Sequence, residues 1–196
     1  MKKRIFALLL LAVLLAGCTT GNPSAPQTTV PENQPMQAFP GLGGVMPEMA
    51  FKQEDGSQLL LSKLLEEKEL VVLNFWFADC PWCVREFPEM ELVYQRHRQD
   101  VEIVALNPVD DLQTIASFRE QHSLSFPMIS CPRAWSVECG VSAYPTSIFI
   151  DRDGVVCLIH RGAITASKDW YSIFEAFTGE DYRRTIYANI NDLLEG

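Results

Sequence analysis

Residues 70–88 read LVVLNFWFADCPWCVREFP, and this stretch decides the fold. It opens with a nearly continuous apolar run at residues 70–76, which is typical of a strand that is buried on both faces of a central sheet. Cys80 and Cys83 follow this run directly, and apolar residues then recur at helical spacing. A buried strand that leads into Cys-X-X-Cys and a helix is the context of redox cysteines. The stretch therefore predicts an α/β fold with redox chemistry at the end of its central strand.

The two cysteines have different expected roles. A thiolate at the start of a helix is stabilised by the helix dipole and by free backbone N–H groups, so Cys80 is the expected nucleophile. Cys83 lies one helical turn later and would resolve a mixed disulfide by attacking Cys80. The alternative is half of a zinc site, with Cys131 and Cys139 as the other half. The buried strand before the pair favours the redox interpretation, and no metal is predicted.

The rest of the folded part alternates between strand and helix patterns in the order β-α-β-α-β-β-α. Pro88 lacks an N–H for the helical hydrogen bonds and is expected to kink the first helix. The last helix carries an apolar stripe and ends near Gly179. The other predicted elements are strands at 101–106 and 146–150, a helix ahead of Ser123, a short edge segment at 126–129, and a turn at 151–154 into a strand at 155–160. This order predicts a mixed sheet with flanking helices.

The first residues have the pattern of an export signal. A basic segment at residues 2–4 precedes an apolar run that is too short to span a bilayer. Residues 15–18 read LAGC, which resembles a bacterial lipobox. We therefore expect a lipoprotein signal peptide at residues 1–17 and lipidation of Cys18, which would anchor the chain to a bacterial membrane. A plain signal or an uncleaved anchor is the alternative.

Composition divides the remainder of the chain. Residues 18–45 are rich in polar residues, Pro and Gly and predict a flexible tether, because such a segment cannot bury enough apolar surface to fold. A single folded domain is predicted at residues 46–179. Residues 180–196 show a helical stripe and predict a C-terminal extension that packs on the domain.

Charge excludes one class of partner. The net charge is −9, and removal of residues 1–17 takes away three positive charges, which leaves 13 Lys and Arg against 25 Asp and Glu, or −12. An acidic surface is repelled by nucleic acid and by anionic lipid headgroups. We therefore expect no nucleic-acid partner, and any membrane attachment must come from the acyl chains on Cys18.

The segment 73–88 resembles the active-site segment of the thioredoxin-like TlpA/ResA family of extracytoplasmic reductases. Residues 140–146, which read GVSAYPT, resemble the cis-proline loop of that family, and residues 150–154 resemble its following hairpin. The resemblance covers residues 46–178. It implies a thioredoxin fold, with helices on both faces of the central sheet, and a thiol-disulfide oxidoreductase that uses no cofactor.

The resemblance also implies a substrate-binding loop. In the family, the residues that match Tyr144 and Pro145 face the cysteine pair, and backbone groups beside the proline pair with the substrate in a strand-like manner. Only about 5–6% of X-Pro bonds in folded proteins are cis, so the sequence alone favours trans. The family context predicts a cis Tyr144-Pro145 bond.

Glu86 is the candidate for proton transfer. It lies three residues after Cys83, on the same face of the predicted helix. In the family, an acid at the matching position tunes the thiol or carries its proton. Thioredoxin itself has a buried acid at the position of Asn74, and this chain lacks it, so Glu86 is the remaining candidate. The alternative is an acid that is merely favoured near the start of a helix.

Two residues depart from the family pattern. Asp79 stands where the family usually has Trp before the first cysteine, and Trp82 lies inside the pair, where we assign it to substrate binding. A carboxylate beside Cys80 disfavours its thiolate by like-charge repulsion. We therefore hypothesise that Asp79 raises the pKa of Cys80 and makes the pair a better reductant.

Three further cysteines have no assigned part in the reaction. Cys131 and Cys139 either form a second disulfide in an oxidising compartment or remain two separate buried thiols, and the sequence leaves both open. Cys157 alternates with apolar neighbours along a strand and is expected to be a small core residue.

The leading function is a membrane-anchored, extracytoplasmic thiol-disulfide oxidoreductase. The resemblance implies that it receives electrons from a membrane donor of the thiol-transfer type and reduces disulfides of exported proteins, such as apocytochrome cysteines in cytochrome c biogenesis or an oxidised repair enzyme. One alternative is a peroxiredoxin-type thiol peroxidase, whose signature has Pro and Thr or Ser where this chain has Leu73 and Phe77. The other is a non-enzymatic metal-binding lipoprotein.

Overall fold

A computed structural model of the chain describes residues 38–179 and 185–195. The strands are β1 (Ala50–Lys52), β2 (Gln58–Leu60), β3 (Leu70–Phe75), β4 (Val101–Asn107), β5 (Met128–Ser130), β6 (Thr146–Asp151) and β7 (Val156–Arg161). The helices are α1 (Leu61–Glu67), α2 (Pro81–His97), α3 (Leu112–His122), α4 (Arg133–Glu138), α5 (Ser167–Phe177) and α6 (Ile190–Leu194). The predicted strands and long helices are present, whereas β1, β2 and α1 are additions.

Five strands form one mixed sheet in the order β5-β4-β3-β6-β7. β3 is parallel to β4 and antiparallel to β6, so it is hydrogen-bonded on both edges. All six residues of β3 are buried. The remaining strands, β1 and β2, form a separate antiparallel pair. The apolar run thus forms a central strand, as the sequence predicts.

Alternation along β3 separates two hydrophobic clusters on the two faces of the sheet. Leu70, Val72 and Trp76 belong to a cluster with residues of α2, α3 and α5. The intervening residues Val71 and Leu73 belong to a second cluster with residues of β1, α1 and the α4 region. Because successive side chains of a strand point to opposite faces, one strand contributes to both cores. The predicted placement of helices on both faces is confirmed.

Helix α2 carries the cysteine pair at its first turn. Cys80 is its N-cap residue and Pro81 is its first residue, where a missing N–H costs nothing. The helix continues through Pro88 to His97. Its inward face is apolar apart from Glu86, and it packs against α5. The start of α2 is therefore fixed at the end of β3.

Both ends of the described chain run along β7. Gly43 donates to the Val156 carbonyl at 2.8 Å, Val156 donates to the Gly44 carbonyl at 2.9 Å, and Val45 bridges Val155. The last residues of the predicted tether, 43–45, therefore pair with the sheet edge and belong to the folded domain. In the predicted extension, Tyr187 donates to the Cys157 carbonyl at 2.9 Å and Leu193 is buried.

The predicted signal peptide, Cys18 and the tether as far as residue 37 lie outside the described residues. Within residues 38–179 and 185–195, no helix is long and apolar enough to cross a membrane.

Candidate active site

Cys80 and Cys83 form a disulfide at the start of α2, with their Cα atoms 5.3 Å apart. Cys80 is 2% exposed and Cys83 is fully buried. The backbone N–H of Cys83 donates to the Cys80 sulfur at 3.1 Å. In the reduced protein, this N–H and the helix N-terminus favour the thiolate of Cys80. The two cysteines thus form one redox pair, and an attacking Cys80 and a resolving Cys83 stay the predicted roles.

The loop before β6 lies beside the cysteine pair. The Tyr144-Pro145 bond is cis, as the family resemblance predicts. The Tyr144 ring contacts the Phe77 ring edge to face, with centroids 5.3 Å apart. Since Phe75 pairs with Thr146 in the sheet, the loop and the segment before Cys80 leave the same edge of the sheet. The structure thus brings Tyr144 and Pro145 to the redox site.

Glu86 is fully buried on the inward side of α2, one helical turn after Cys83. Its Oε1 accepts the Ile164 N–H at 2.9 Å, and its Oε2 accepts the Asn74 side-chain N–H at 3.0 Å. Burial raises the pKa of Glu86 from 4.5 to about 7, although both hydrogen bonds oppose this rise. A carboxyl with a pKa near 7 can both accept and release a proton near neutral pH. Glu86 therefore has the burial and the acidity that proton exchange with Cys83 requires.

The sequence analysis assigned no role in this site to two polar residues, Asn74 and Ser147. Asn74 is fully buried and connects Glu86 to Ser147, whose Oγ accepts the Asn74 side-chain N–H at 2.9 Å. Asn74 and Ser147 are direct partners in the register of β3 and β6. A signal was available, because each residue is a polar exception in an otherwise apolar strand.

A second polar contact holds the segment before Cys80. The backbone N–H of Ala78 donates to Asp110 Oδ2 at 2.7 Å, and the side chain of Asn107 donates to the same oxygen at 2.8 Å. Asn107 is fully buried at the end of β4. The loop after β4 thus anchors the loop after β3, a contact that sequence reasoning did not predict.

The two residues that depart from the family pattern are accessible. Asp79 is exposed directly before Cys80. Trp82 is 54% exposed, and the Arg85 guanidinium lies 5.1 Å from the centroid of its ring. An exposed aromatic ring beside a buried disulfide suits contact with a polypeptide substrate.

Cys131 and Cys139 are free thiols in the structure, both buried in the second cluster. Burial raises the pKa of each to about 12, and the proximity of Cys139 adds to the rise at Cys131. They are therefore protonated near neutral pH. Cys157 is fully buried, as expected of a core residue. Across the described part of the chain, no group of three His, Cys, Asp or Glu side chains could hold a metal ion, so the zinc alternative has no ligand set there.

Comparison with known proteins assigns the family. The profile of the Redoxin family matches residues 33–171, most of the chain. The chain belongs to the Redoxin family. Within it, the chain is 34% identical to thiol-disulfide oxidoreductase ResA of Halalkalibacterium halodurans over 57% of its own length and 63% of that protein. It is 31% identical to ResA of Bacillus subtilis, over 64% of its own length and 70% of that protein.

A solved structure agrees with these relatives. The crystal structure named as thiol:disulfide interchange protein DsbE from Chlorobium tepidum superposes with a TM-score of 0.60 at 27% identity, over 68% of this chain and 94% of that one. The predicted thioredoxin fold is confirmed. The predicted class, thioredoxin-like thiol-disulfide oxidoreductases of the ResA type, is confirmed as well.

The buried carboxyl predicts a pH-dependent stability. Glu86 binds its proton more tightly in the folded chain, with a pKa of about 7, than in the unfolded chain at 4.5. Its stabilising contribution is therefore complete below about pH 4.5 and is lost as the pH rises through about 7. We expect the free energy of unfolding of the oxidised protein to fall by about 3 kcal/mol across this window. Urea unfolding of wild type and Glu86→Gln at a series of pH values checks this, since equal pH slopes in the two proteins would contradict it.

Substitution of Asp79 tests whether its negative charge affects the pKa of Cys80. We expect Asp79→Asn to lower the pKa of Cys80 in the reduced protein, because a neutral amide no longer repels the thiolate. The effect should be small, since the carboxylate is exposed and water screens its charge. The pH dependence of alkylation of Cys80 measures it, with Asp79→Glu as the charge-retaining control. An unchanged or higher pKa of Cys80 in Asp79→Asn would refute the hypothesis.

Proposed function

We propose that the chain is a lipid-anchored, extracytoplasmic reductase that reduces disulfides of exported proteins through Cys80 and Cys83. The observation that carries the proposal is Glu86, a fully buried carboxyl whose pKa is raised to about 7, one helical turn after the resolving cysteine. A purely structural core position would hold an apolar residue at less cost. Relatives named thiol-disulfide oxidoreductase support the same chemistry.

The first step is attack of the reduced pair on a substrate disulfide. The Cys80 thiolate bonds to one substrate sulfur while the substrate S–S bond breaks, and the other substrate sulfur leaves as a thiolate that takes up a proton. The product is a mixed disulfide between Cys80 and the substrate. The helix N-terminus and the Cys83 N–H lower the energy of the attacking thiolate.

The second step releases the substrate. Glu86 in its ionised form takes the proton of the Cys83 thiol, and the Cys83 thiolate attacks the Cys80 sulfur. The Cys80–Cys83 bond forms, the mixed disulfide breaks, and the second substrate sulfur leaves and is protonated. Two electrons have then passed to the substrate. A dithiol donor at the membrane restores the reduced pair by the reverse exchange and is itself oxidised to a disulfide.

Substrate binding involves the surface around the disulfide. Tyr144 and Pro145 lie on one side of the pair, and Trp82 presents an exposed ring within it. An extended substrate segment beside Pro145 would place its disulfide at Cys80. Apocytochrome cysteines and an oxidised repair enzyme are the candidate substrates that the family resemblance implies.

The segment at Val45, where the chain joins the sheet, and the redox site lie at opposite ends of the sheet. The chain enters the domain where Val45 bridges Val155, next to the end of β6 at which Asp151 pairs with Leu70. The cysteine pair follows the other end of β3, where Phe75 pairs with Thr146. The intervening length is about 20 Å at roughly 3.3 Å per strand residue. A tether that ends in lipidated Cys18 would therefore leave the disulfide accessible.

A trapping experiment tests the reductase. In Cys83→Ser, the mixed disulfide on Cys80 cannot be resolved, so we expect exported proteins to accumulate on Cys80 in cells. Isolation under non-reducing conditions followed by mass spectrometry identifies them, and Cys80→Ser/Cys83→Ser is the matched control. The absence of any Cys80-dependent adduct, together with no reduction of a protein disulfide by the purified wild type, would refute the proposal.

The anchor has its own test. We expect the wild-type protein to fractionate with membranes and Cys18→Ser to appear in the soluble extracytoplasmic fraction, because the acyl chains supply the only attachment proposed. Immunoblotting of cell fractions after metabolic labelling with a fatty acid measures both properties. Equal membrane association of the two proteins would exclude Cys18 as the anchor.

A further inference from the structure

A row of three buried polar side chains crosses from α2 into the sheet. Glu86, Asn74 and Ser147 are each fully buried and lie among apolar residues. Asn74 is the middle member, since its Nδ2 donates to Glu86 Oε2 at 3.0 Å and to Ser147 Oγ at 2.9 Å. Burial of an amide in a central strand costs free energy, because the polar group loses its hydration there. Hydrogen bonds or a function of the residue must offset this cost.

The hydrogen bonds of the Asn74 amide are all at one end. Nδ2 uses both of its N–H groups, whereas Oδ1 is buried and has no hydrogen-bond partner in the described part of the chain. The observed orientation suits an ionised Glu86, which can only accept. A protonated Glu86 must instead donate through one oxygen, and an N–H group directed at that O–H cannot receive it.

Rotation of the amide by half a turn would match the protonated state. The oxygen and nitrogen of an amide are nearly equal in size, so the rotated group occupies the same space. Oδ1 would then accept from the Glu86 O–H and from the Ser147 hydroxyl, which can donate as readily as it accepts. The number of hydrogen bonds to Glu86 and Ser147 is the same in both orientations, and rotation moves the amide N–H groups to the buried position that Oδ1 now holds without a partner.

We propose that Asn74 is a positioning residue for Glu86, and that its amide rotates when Glu86 binds a proton and rotates back when the proton leaves. The proton comes from the Cys83 thiol in the resolving step, and in this respect the proposal rests on the proposed function. In the protonated state, Oε2 carries the hydrogen and Oε1 still accepts the Ile164 N–H. Glu86 therefore stays in one place during proton transfer.

Of the two groups that hydrogen-bond to Glu86 in the described residues, only the Asn74 amide can serve both states of the carboxyl. The Ile164 N–H only donates, and no charge on the described residues contributes to the shifted pKa of Glu86. Titratable or charged side chains on the surrounding elements include Cys83 on α2, His160 on β7 opposite Ser147, exposed Arg161 at the end of β7, and Lys168, Asp169, Tyr171 and Glu175 on α5. Tyr171 contacts Arg96 and His97 at the far end of α2. Of the groups hydrogen-bonded to Glu86, only the Asn74 amide offers both a donor and an acceptor.

Nuclear magnetic resonance of the oxidised wild-type protein tests the rotation without any substitution at Asn74. The Glu86 carboxyl carbon reports ionisation, and the Asn74 side-chain N–H protons report hydrogen bonding. We expect the Asn74 protons to lose their hydrogen-bonded shift as the pH falls, with the same midpoint as Glu86. Glu86→Gln is the matched control, in which the Asn74 resonances should not change with pH. Asn74 protons that stay hydrogen-bonded while Glu86 titrates would overturn the rotation.

Asn74→Leu tests the positioning role, with folding verified by circular dichroism. Loss of the donor to the carboxylate should raise the pKa of Glu86, changing its ionisation equilibrium about tenfold. In the Cys80→Ser background, the midpoint of the pH profile for alkylation of Cys83 should rise in parallel. An unchanged midpoint in folded protein would overturn the positioning role. Neither measurement uses a protein substrate. The proposed reductase activity is tested separately, by reduction of a protein disulfide, so the failure of one proposal can be distinguished from the failure of the other.

Discussion

Burial of β3 on both faces and pairing on both of its edges is the constraint on which the site depends. β4 and β6 fix the strand along its whole length, and the two hydrophobic clusters fix its faces. The chain leaves this strand into the loop before Cys80 with little freedom. The loop after β4 adds Asp110, which accepts the Ala78 N–H. The position of the nucleophile is thus a consequence of sheet register.

The same burial determines the acidity of Glu86. Two N–H groups donate to the carboxyl and favour its charge, but desolvation opposes them and is the larger effect, since the pKa is raised. No cation compensates the charge within the described residues, which distinguishes Glu86 from a buried salt bridge. Both the ionised and the protonated form of Glu86 are therefore populated near neutral pH. In the proposed mechanism, this loss of stability through desolvation accompanies proton exchange with Cys83.

Much of the fold was predictable because its signals are local. The apolar run of β3, the cysteine spacing and the position of Glu86 one turn after Cys83 can all be recognised within the 70–88 stretch. The pairing of Asn74 with Ser147 joins residues 73 apart, so it depends on the β3–β6 register, which no local pattern specifies. The short strands β1 and β2 were missed because three residues carry too little periodicity.

The two cysteine pairs show that environment, rather than residue type, decides reactivity. Cys80 lies at a helix N-terminus with an N–H directed at its sulfur, and the chain before it reaches the surface at Asp79. Cys131 and Cys139 lie in an apolar cluster where burial raises their pKa to about 12, so hardly any thiolate forms. A fold with several thiols can therefore restrict disulfide exchange to a single pair. The Cys83 N–H at the start of α2 contributes to that selectivity, because it favours a charged Cys80 sulfur.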